Sequence, residues 1–171
     1  EGRPEAWKLF SRIANLVFLV SAGLSLLVAL FAGRLVASQV GIVPGFSPEN
    51  QALVVELMRL NLIATLIFSV AGLVIAGLQA NQHFWLPALA PSMYDLGMLF
   101  GVMVLAPSES LRFGPIQLPA YGMGVHGMVY GTILGALLFL VVQIPGLLRY
   151  QFRWSASLGL MTPRVQQVLR L

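Results

Sequence analysis

The amino-acid sequence predicts an all-α protein, a polytopic bundle that crosses a membrane four times. Of its 171 residues, 58% are hydrophobic and only 9% are charged, whereas a typical soluble domain has about 25% charged residues. Four nearly uncharged stretches are each long enough to cross a hydrocarbon core of about 30 Å as a helix that rises about 1.5 Å per residue. These stretches are Ile13–Gly33, Leu60–Leu78, Phe84–Ala106 and Val125–Leu148.

The predicted membrane spans a, b, c and d, with their flanking residues, cover residues 13–36, 56–79, 84–106 and 122–148. Each is apolar all round, which is not typical of the amphipathic helices of a soluble protein. A further, cytoplasmic helix is expected to begin within residues 162–171, because Thr162 can cap a helix that has Pro163 in its first turn. The chain begins without Met and stops inside this helix. We therefore expect residues 1–171 to form a single transmembrane domain that is a fragment of a larger protein.

The distribution of Lys and Arg predicts the orientation of the spans. If the spans alternate in direction, seven of the ten basic residues fall on the side of the two chain ends: Arg3, Lys8, Arg12, Arg149, Arg153, Arg164 and Arg170. The other side has Arg34, Arg59 and Arg112. Because cytoplasmic loops carry the excess of basic residues, the N-terminal segment and the C-terminal tail are expected in the cytoplasm.

The sequence lacks the motifs of an enzyme, of a metal or cofactor site, and of a nucleic-acid-binding protein. It contains no Cys, and neither His83 nor His126 has a second His or a carboxylate at metal-ligand spacing. Phosphate-binding loops and nucleophile elbows are also absent. Its basic residues flank the apolar spans and do not form the stripe that binds nucleic acid. The lipid bilayer is therefore the expected partner.

Three prolines are expected to shape the helices. Pro87 and Pro91 each remove a backbone donor and crowd the preceding turn, so span c should be kinked or begin irregularly. Pro145 should bend or end span d for the same reason. The short, uncharged turn 79–83 between spans b and c predicts that these two spans form an antiparallel hairpin.

Glycines recur at helical spacing on spans c and d. Gly127, Gly131 and Gly135 lie four residues apart on span d, and Gly97 and Gly101 do so on span c. Helices in lipid associate through close packing, which small residues permit. The glycines of span d therefore predict a helix-packing face, or alternatively a face along which helices slide or hinge.

Asp95 and Arg59 are the candidate substrate or cavity residues. Asp95 lies near the middle of span c, where a charged side chain costs about 2.5–3.5 kcal/mol to insert, so it should face the bundle interior or water. It is either a proton or cation site, an electrostatic element of a substrate cavity, or a protonated or hydrogen-bonded packing residue near Tyr94 or a Ser or Thr of another span. Arg59, at the end of span b, can extend to the membrane surface or pair with Glu56 one turn away.

From Leu57 onward, the order of several short motifs resembles a known family. The matching segments are Leu57-Met-Arg-Leu60, Gly77-Leu-Gln-Ala-Asn81, Phe84-Trp-Leu-Pro-Ala-Leu-Ala-Pro91 and Gln143-Ile-Pro-Gly-Leu147. The third is similar to the Phe-x-x-Pro-Ala-x-x-Pro helix entry of the MurJ/MviN lipid II flippases, members of the multidrug/oligosaccharidyl-lipid/polysaccharide exporter superfamily. Span a fits this family by position alone. The resemblance implies a fourteen-helix fold in which spans a to d are the third to sixth helices.

The resemblance also implies a function. Such a flippase, which is a transporter and not an enzyme, moves the undecaprenyl-linked peptidoglycan precursor across the bacterial cytoplasmic membrane by alternating access. The arginines that line its cavity come mostly from the first, second and eighth helices, which lie outside this chain. A coupling cation is a further candidate partner. Asp95 departs from the family pattern, since members often have Asn near this position, and Asp when ionised only accepts hydrogen bonds.

Three alternatives remain open from the sequence. An O-antigen or exopolysaccharide lipid flippase would share the fold and superfamily. A cation-coupled multidrug antiporter of that superfamily would require Asp95. A non-transporting membrane scaffold would have no solvated cavity and no polar residue at depth, so Asp95 disfavours it.

Overall fold

A computed structural model describes residues 3–37 and 42–150 of the chain. Four of its helices are long and apolar enough to cross a membrane, which confirms the predicted all-α membrane fold. In chain order the elements are α1 (Arg3–Ala37), α2 (Pro48–Ala80), α3 (Trp85–Phe100) with a π-helical continuation (Gly101–Leu105), β1 (Arg112–Phe113), β2 (Ile116–Gln117), α4 (Val125–Val141) and α5 (Ile144–Arg149). The helix expected within residues 162–171 lies outside the described residues.

Helices α1 and α2 pack against each other as a long antiparallel pair. They contain 35 and 33 residues, more than the roughly 20 that cross a bilayer, so both extend beyond the apolar spans. Ala32 and Val36 of α1 are fully buried. At the other end of the pair, the ring of Phe10 lies against Gly77, where a Cβ atom would come within 2.9 Å of it. Small residues therefore bring the two helices close together.

A tight turn connects α2 to α3. The N–H groups of Asn81 and His83 both donate to the carbonyl of Leu78, at 3.1 and 2.9 Å, and Gln82 has a positive φ of 58°. The turn is as short as predicted, but α3 packs mainly against α4 and only weakly against α2. The predicted hairpin of spans b and c is therefore not the main packing unit. We call this end of the bundle the turn end, and the opposite end, where residues 106–124 lie, the loop end.

Backbone contact between glycines determines how α3 packs on α4. A Cβ atom on Gly97 would lie 2.3 Å from the N and Cα atoms of Gly135, and one on Gly131 would lie 2.6 Å from the Cα atom of Gly101. A Cβ atom on Gly127 would meet the backbone of Leu105 and Ala106, at 2.6 and 2.5 Å. These approaches are possible only without side chains, so the glycines of the two helices form one continuous contact surface.

The loop end satisfies the last carbonyl groups of the third span. From Gly101 the helix widens to π geometry, and the N–H of Ala106 donates to the carbonyl of Gly101 at 2.8 Å. The carbonyls that the helix leaves free at its end accept hydrogen bonds from the returning chain, namely Tyr121 N–H to Val104, Met123 N–H to Leu105 and Gly124 N–H to Ala106. Backbone groups near lipid must find such partners within the protein.

The prolines occupy positions that a helix tolerates, with one exception. Pro87 lies in the first turn of α3, where its missing N–H would have no helical partner. Pro91 lies inside α3, which is nevertheless helical from Trp85 to Phe100. Pro145 lies in the first turn of α5, after α4 has ended at Val141. Span d is therefore divided into two helices just before Pro145.

An apolar cluster closes the turn end. Val74 and Leu78 of α2 and Leu147 of α5 are buried, and Leu86, Leu140 and Tyr150 pack around them. Gly146 lets α5 approach closely, because a Cβ atom there would lie 2.7 Å from Leu78 and 2.9 Å from Leu86. This cluster joins α2, α3, α4 and α5.

The backbone contact at Gly131 gives a direct test of the fold. Gly131→Ala should cost more than the usual 1–3 kcal/mol of overpacking, because the obstructing atoms belong to backbone and not to flexible side chains. The measurement is the melting temperature of the full-length protein in detergent. Gly23→Ala is the matched control: nothing lies within 4 Å of its Cβ position, and Ala favours a helix over Gly by about 1 kcal/mol. Equal melting temperatures for the two variants would contradict the α3–α4 contact.

Candidate functional site

Arg59 connects α2 to α1 near the loop end. Its Nε donates to the backbone carbonyl of Ala29 at 3.0 Å, while the residue as a whole remains exposed. The ion pair with Glu56 that the helical spacing allowed is not formed among the described residues. Arg59 therefore acts within this structure as a link between two helices.

The sequence of α1 explains why a carbonyl inside a helix can accept this bond. A helical side chain covers the turn that precedes it, so the side chain at position 33 would lie over the carbonyl of residue 29. Position 33 is Gly, and residue 29 is itself only Ala. A Cβ atom at position 33 would still have nothing within 4 Å of it, so a longer side chain such as Leu is needed there to cover this carbonyl.

Glu56 pairs with His126 and not with Arg59. The Nε2 atom of His126 lies 3.3 Å from the Oε1 atom of Glu56, and the two side chains are 31% and 62% exposed. This contact connects α2 to the first turn of α4. Ion pairs exposed to this degree contribute about 0–1 kcal/mol to the free energy of unfolding. Sequence analysis missed it because the two residues are far apart in the chain and only the packing of α2 on α4 brings them together.

Asp95 lies on the exposed side of α3 and not among the four helices. It is the middle residue of the 21-residue candidate span Trp85–Leu105. Gly97, two positions further on and so on nearly the opposite side of the helix, occupies the side that faces α4. Within residues 3–37 and 42–150, no hydrogen bond or ion pair joins Asp95 to another residue. Asp95 was expected to face the bundle interior or water; it does not face the other described helices, and its role in a cavity stays a prediction.

Tyr94, the neighbour of Asp95, takes the interior position. Its ring packs edge-on against Phe68 of α2, with 5.3 Å between centroids, and Phe68 in turn packs against Phe139 of α4 at 5.3 Å. The three rings join α2, α3 and α4 at mid-span. Tyr94, and not Asp95, therefore makes the contact with the neighbouring helices. The carboxylate of Asp95 lies outside this cluster of rings.

Gln143, which sequence analysis placed only within a family motif, is a fully buried polar residue. Its Nε2 atom donates to the carbonyl of Phe139 at 2.8 Å. Its Oε1 atom and the Nε2 atom of His83 are buried without a hydrogen-bond partner in the described part of the chain. The ring of His83 packs on that of Tyr150, whose hydroxyl group lies 3.4 Å from the carbonyl of Asn81. The turn end thus carries polar groups around its apolar cluster.

These polar residues are not brought together at one point of the described structure. Asp95 and Arg59 lie on different helices, and no contact joins them in the described ranges. Within those ranges, no group of three His, Asp or Glu side chains is placed to hold a metal ion. What the described residues show is contact between helices: Arg59 links α2 to α1, and Glu56 with His126 links α2 to α4.

Comparison with known proteins identifies the family. The family model described as lipid II flippase MurJ matches residues 1–171. The chain belongs to the MurJ family. It is also 25% identical over 176 residues to a probable lipid II flippase MurJ from Synechocystis sp., in an alignment that covers 99% of this chain and 31% of the relative. The chain thus spans about a third of that relative's length. No solved structure matches it.

The MurJ match confirms the resemblance predicted from the motifs and extends it. The family model includes residues 3–37, where α1 lies and where the sequence fitted by position alone. MurJ proteins are transporters and not catalytic enzymes. Together with four candidate membrane spans, this makes the chain a multi-pass membrane protein.

The hydrogen bond between Arg59 and Ala29 predicts that removing its donor and covering its acceptor destabilise the protein to a similar degree. Arg59→Ala removes the donor, and Gly33→Leu covers the acceptor. Because the bond is exposed, each should lower the free energy of unfolding by about 0.5–1.5 kcal/mol, the usual net range for a hydrogen bond. The measurement is thermal unfolding of the full-length protein in detergent, with Gly23→Leu as the control on the open side of α1. If Gly33→Leu behaves like Gly23→Leu, the link does not contribute to stability.

The contact between Glu56 and His126 predicts a small interaction free energy between these two side chains in the stability of the protein. Glu56→Gln, His126→Ala and the double variant form a double-mutant cycle, which should give an interaction free energy of about 0.2–1 kcal/mol because both side chains are partly exposed. Unfolding in denaturant measures it. A cycle that uses Tyr130→Phe in place of His126→Ala provides the control and should give no coupling. Coupling of equal size in both cycles would argue against the pair.

Proposed function

We propose that this chain is part of a flippase that translocates lipid II, the undecaprenyl-linked peptidoglycan precursor, across the bacterial cytoplasmic membrane. The observation that carries this proposal is the match of the MurJ family model to the entire chain. The four long apolar helices support a position in the membrane, where such a flippase acts. The Synechocystis relative is itself named a probable lipid II flippase.

The proposed mechanism is alternating access. Translocation of a lipid makes and breaks no covalent bond, and it requires two conformations that the substrate stabilises differently. The glycine contact of α3 with α4 and the aromatic contacts of Phe68 favour a lobe that moves as a unit. This lobe would rock against the part of the protein that corresponds to the remaining length of the relative.

The charge distribution supports one orientation for this lobe. The turn end, with Arg149 and the start of α1, would face the cytoplasm, where basic residues accumulate. The loop end, with Arg59 and the Glu56–His126 pair, would face the outside. The lipid-linked sugar would leave the protein at this end.

Asp95 is the residue of this lobe that we propose to line the transport cavity. A carboxylate at mid-span is too costly to leave in contact with lipid, and its exposed position on α3 leaves it available to a hydrophilic cavity formed with the rest of the protein. There it would hydrogen-bond polar groups of the substrate. Arg59, which is already engaged with Ala29, is the weaker candidate.

The test of this proposal is replacement of the flippase in depleted bacterial cells by the full-length gene. Growth, together with exposure of lipid II on the outer leaflet, would support a lipid II flippase. Growth failure with a correctly inserted protein would favour a flippase for another lipid-linked polysaccharide. Asp95→Asn should retain most of the activity, because its amide still forms hydrogen bonds, and Asp95→Leu should reduce activity at least tenfold.

Two results would contradict the role of Asp95. Wild-type activity of both variants would show that the carboxylate is dispensable, and complete loss in Asp95→Asn would indicate a residue that must carry charge, as expected in a cation-coupled antiporter. Phe18→Leu, on the exposed side of α1, is the control and should retain full activity. Protein levels in the membrane are measured for all three variants.

A further inference from the structure

Gln143 is a buried polar side chain that the described helices satisfy at only one end. It is fully buried, and its Nε2 atom donates to the backbone carbonyl of Phe139 at 2.8 Å. Because only the nitrogen of a side-chain amide donates, this bond also fixes which atom is Oε1. Within residues 3–37 and 42–150, the buried Oε1 atom has no hydrogen-bond partner. A buried acceptor without a donor is costly, so a further partner is required.

The side chain of Gln143 is used in this way because span d is interrupted there. In a continuous α-helix, the N–H of Gln143 would donate to the carbonyl of Phe139, four residues earlier. In the structure this N–H donates to Leu140 at 3.1 Å, and the carbonyl of Phe139 accepts the side-chain amide instead. Pro145, which has no N–H, prevents the regular pattern from resuming at once. The amide is therefore needed at the break between α4 and α5.

Contacts on either side of Gln143 show which surface it faces. Phe139, one turn earlier, packs on Phe68 of α2 with 5.3 Å between ring centroids. A Cβ atom on Gly146, one turn later, would lie 2.7 Å from the side chain of Leu78 of α2. Residues three and four positions apart share one face of a helix. Gln143 therefore faces α2 between the levels of Phe68 and Leu78.

The residues at this level of the bundle are short and apolar. On α2 they are the buried Ala71 and Val74. On α3 the buried Ala90 is one turn from Leu86, whose side chain lies close to Gly146. None of the three buried side chains carries a donor, and the two alanines end at Cβ. The surroundings of the amide therefore supply no side-chain hydrogen bond and take up little space.

Water is the donor that fits this position. It gives two hydrogen bonds, and buried waters occupy sites beside polar groups that the protein leaves unpaired. In membrane helices that a proline interrupts, ordered waters replace hydrogen bonds that the backbone loses. Because Gln143 has no exposed surface, a bulky side chain from elsewhere in the protein has no access to its Oε1 atom. Backbone carbonyls of the same turns can accept the second hydrogen of the water, since each has two lone pairs.

We propose that the Oε1 atom of Gln143 binds one water molecule inside the bundle, between α2, α3 and the break in span d. Gln143 and this water together hold the break: the amide pairs with the carbonyl of Phe139, and the water pairs with the amide. The bound water is a structural ligand. Its presence does not depend on which lipid-linked substrate the full-length protein transports.

A structure of the full-length protein, at a resolution that shows ordered water, tests the site directly. We expect a density peak about 2.5–3.0 Å from Oε1 of Gln143, the distance of an O–H···O hydrogen bond. An N–H or O–H group of the protein at this distance would overturn the proposal. An apolar side chain in direct contact with Oε1 would overturn it as well.

Radiolytic labelling detects the same water in solution. X-ray irradiation of the full-length protein in detergent converts bound water into hydroxyl radicals, which modify the nearest side chains, here that of Phe139. Gln143→Leu should lower the modification of Phe139 severalfold, whereas the matched control Gln51→Leu should not change it. Gln51 also donates from Nε2 to a backbone carbonyl, that of Val43 at 3.2 Å, but it is only half-buried. An unmodified Phe139 in the wild-type protein, or equal modification in the wild type and Gln143→Leu, would contradict a bound water.

Melting temperatures measure how far the buried amide holds the break. Bulk water can replace the lost hydrogen bond at the half-buried Gln51 but not at Gln143. Gln143→Leu should therefore lower the melting temperature of the full-length protein more than Gln51→Leu does, and equal shifts would show that the amide does not hold the break. If Gln143→Leu does not fold, the structure and the labelling of the wild-type protein still decide the matter. None of these readouts depends on transport, so failure here is distinguishable from failure of the proposed function.

Discussion

Direct contact between the backbones of α3 and α4 is the constraint on which the described fold depends. In lipid, burial of apolar side chains between helices gains little, because lipid chains are as apolar as leucine. Helices are held by close packing, and the glycines at positions 97, 101, 127, 131 and 135 allow the closest packing that two helices can make. Once α3 is fixed on α4, it packs only weakly on α2 despite the short turn that connects them.

The need to pair every backbone group in lipid explains several other features. The third span ends in a π-helical segment, and the chain returns along it so that Tyr121, Met123 and Gly124 satisfy its last carbonyls. The same requirement explains why Pro87 lies in the first turn of α3, where its missing N–H group breaks no helical hydrogen bond. The guanidinium group of Arg59 likewise finds a partner within the protein, the backbone carbonyl of Ala29.

The sequence predicted most of the fold but little of the side-chain pairing. Span positions follow from hydrophobic length, and the glycine spacing indicated which faces of spans c and d are small. It could not tell that the two glycine faces meet each other, since that depends on the relative rotation of two helices. For the same reason it suggested the local pair of Glu56 and Arg59, whereas the structure pairs each with a residue distant in sequence. The exposed position of Asp95 likewise follows from Gly97 facing α4.

Close packing is distributed unevenly among the four spans, and this bears on how the lobe can move. Only 11% of the most apolar window of α1 is buried, compared with 28% for the last span. Helix α1 nevertheless packs on α2 almost as extensively as α3 packs on α4, and the hydrogen bond from Arg59 adds to this contact. The low burial of α1 therefore reflects its place at the edge of the described bundle and not a loose contact. Because packing and hydrogen bonds are what hold helices together in lipid, these contacts favour a lobe whose helices move together.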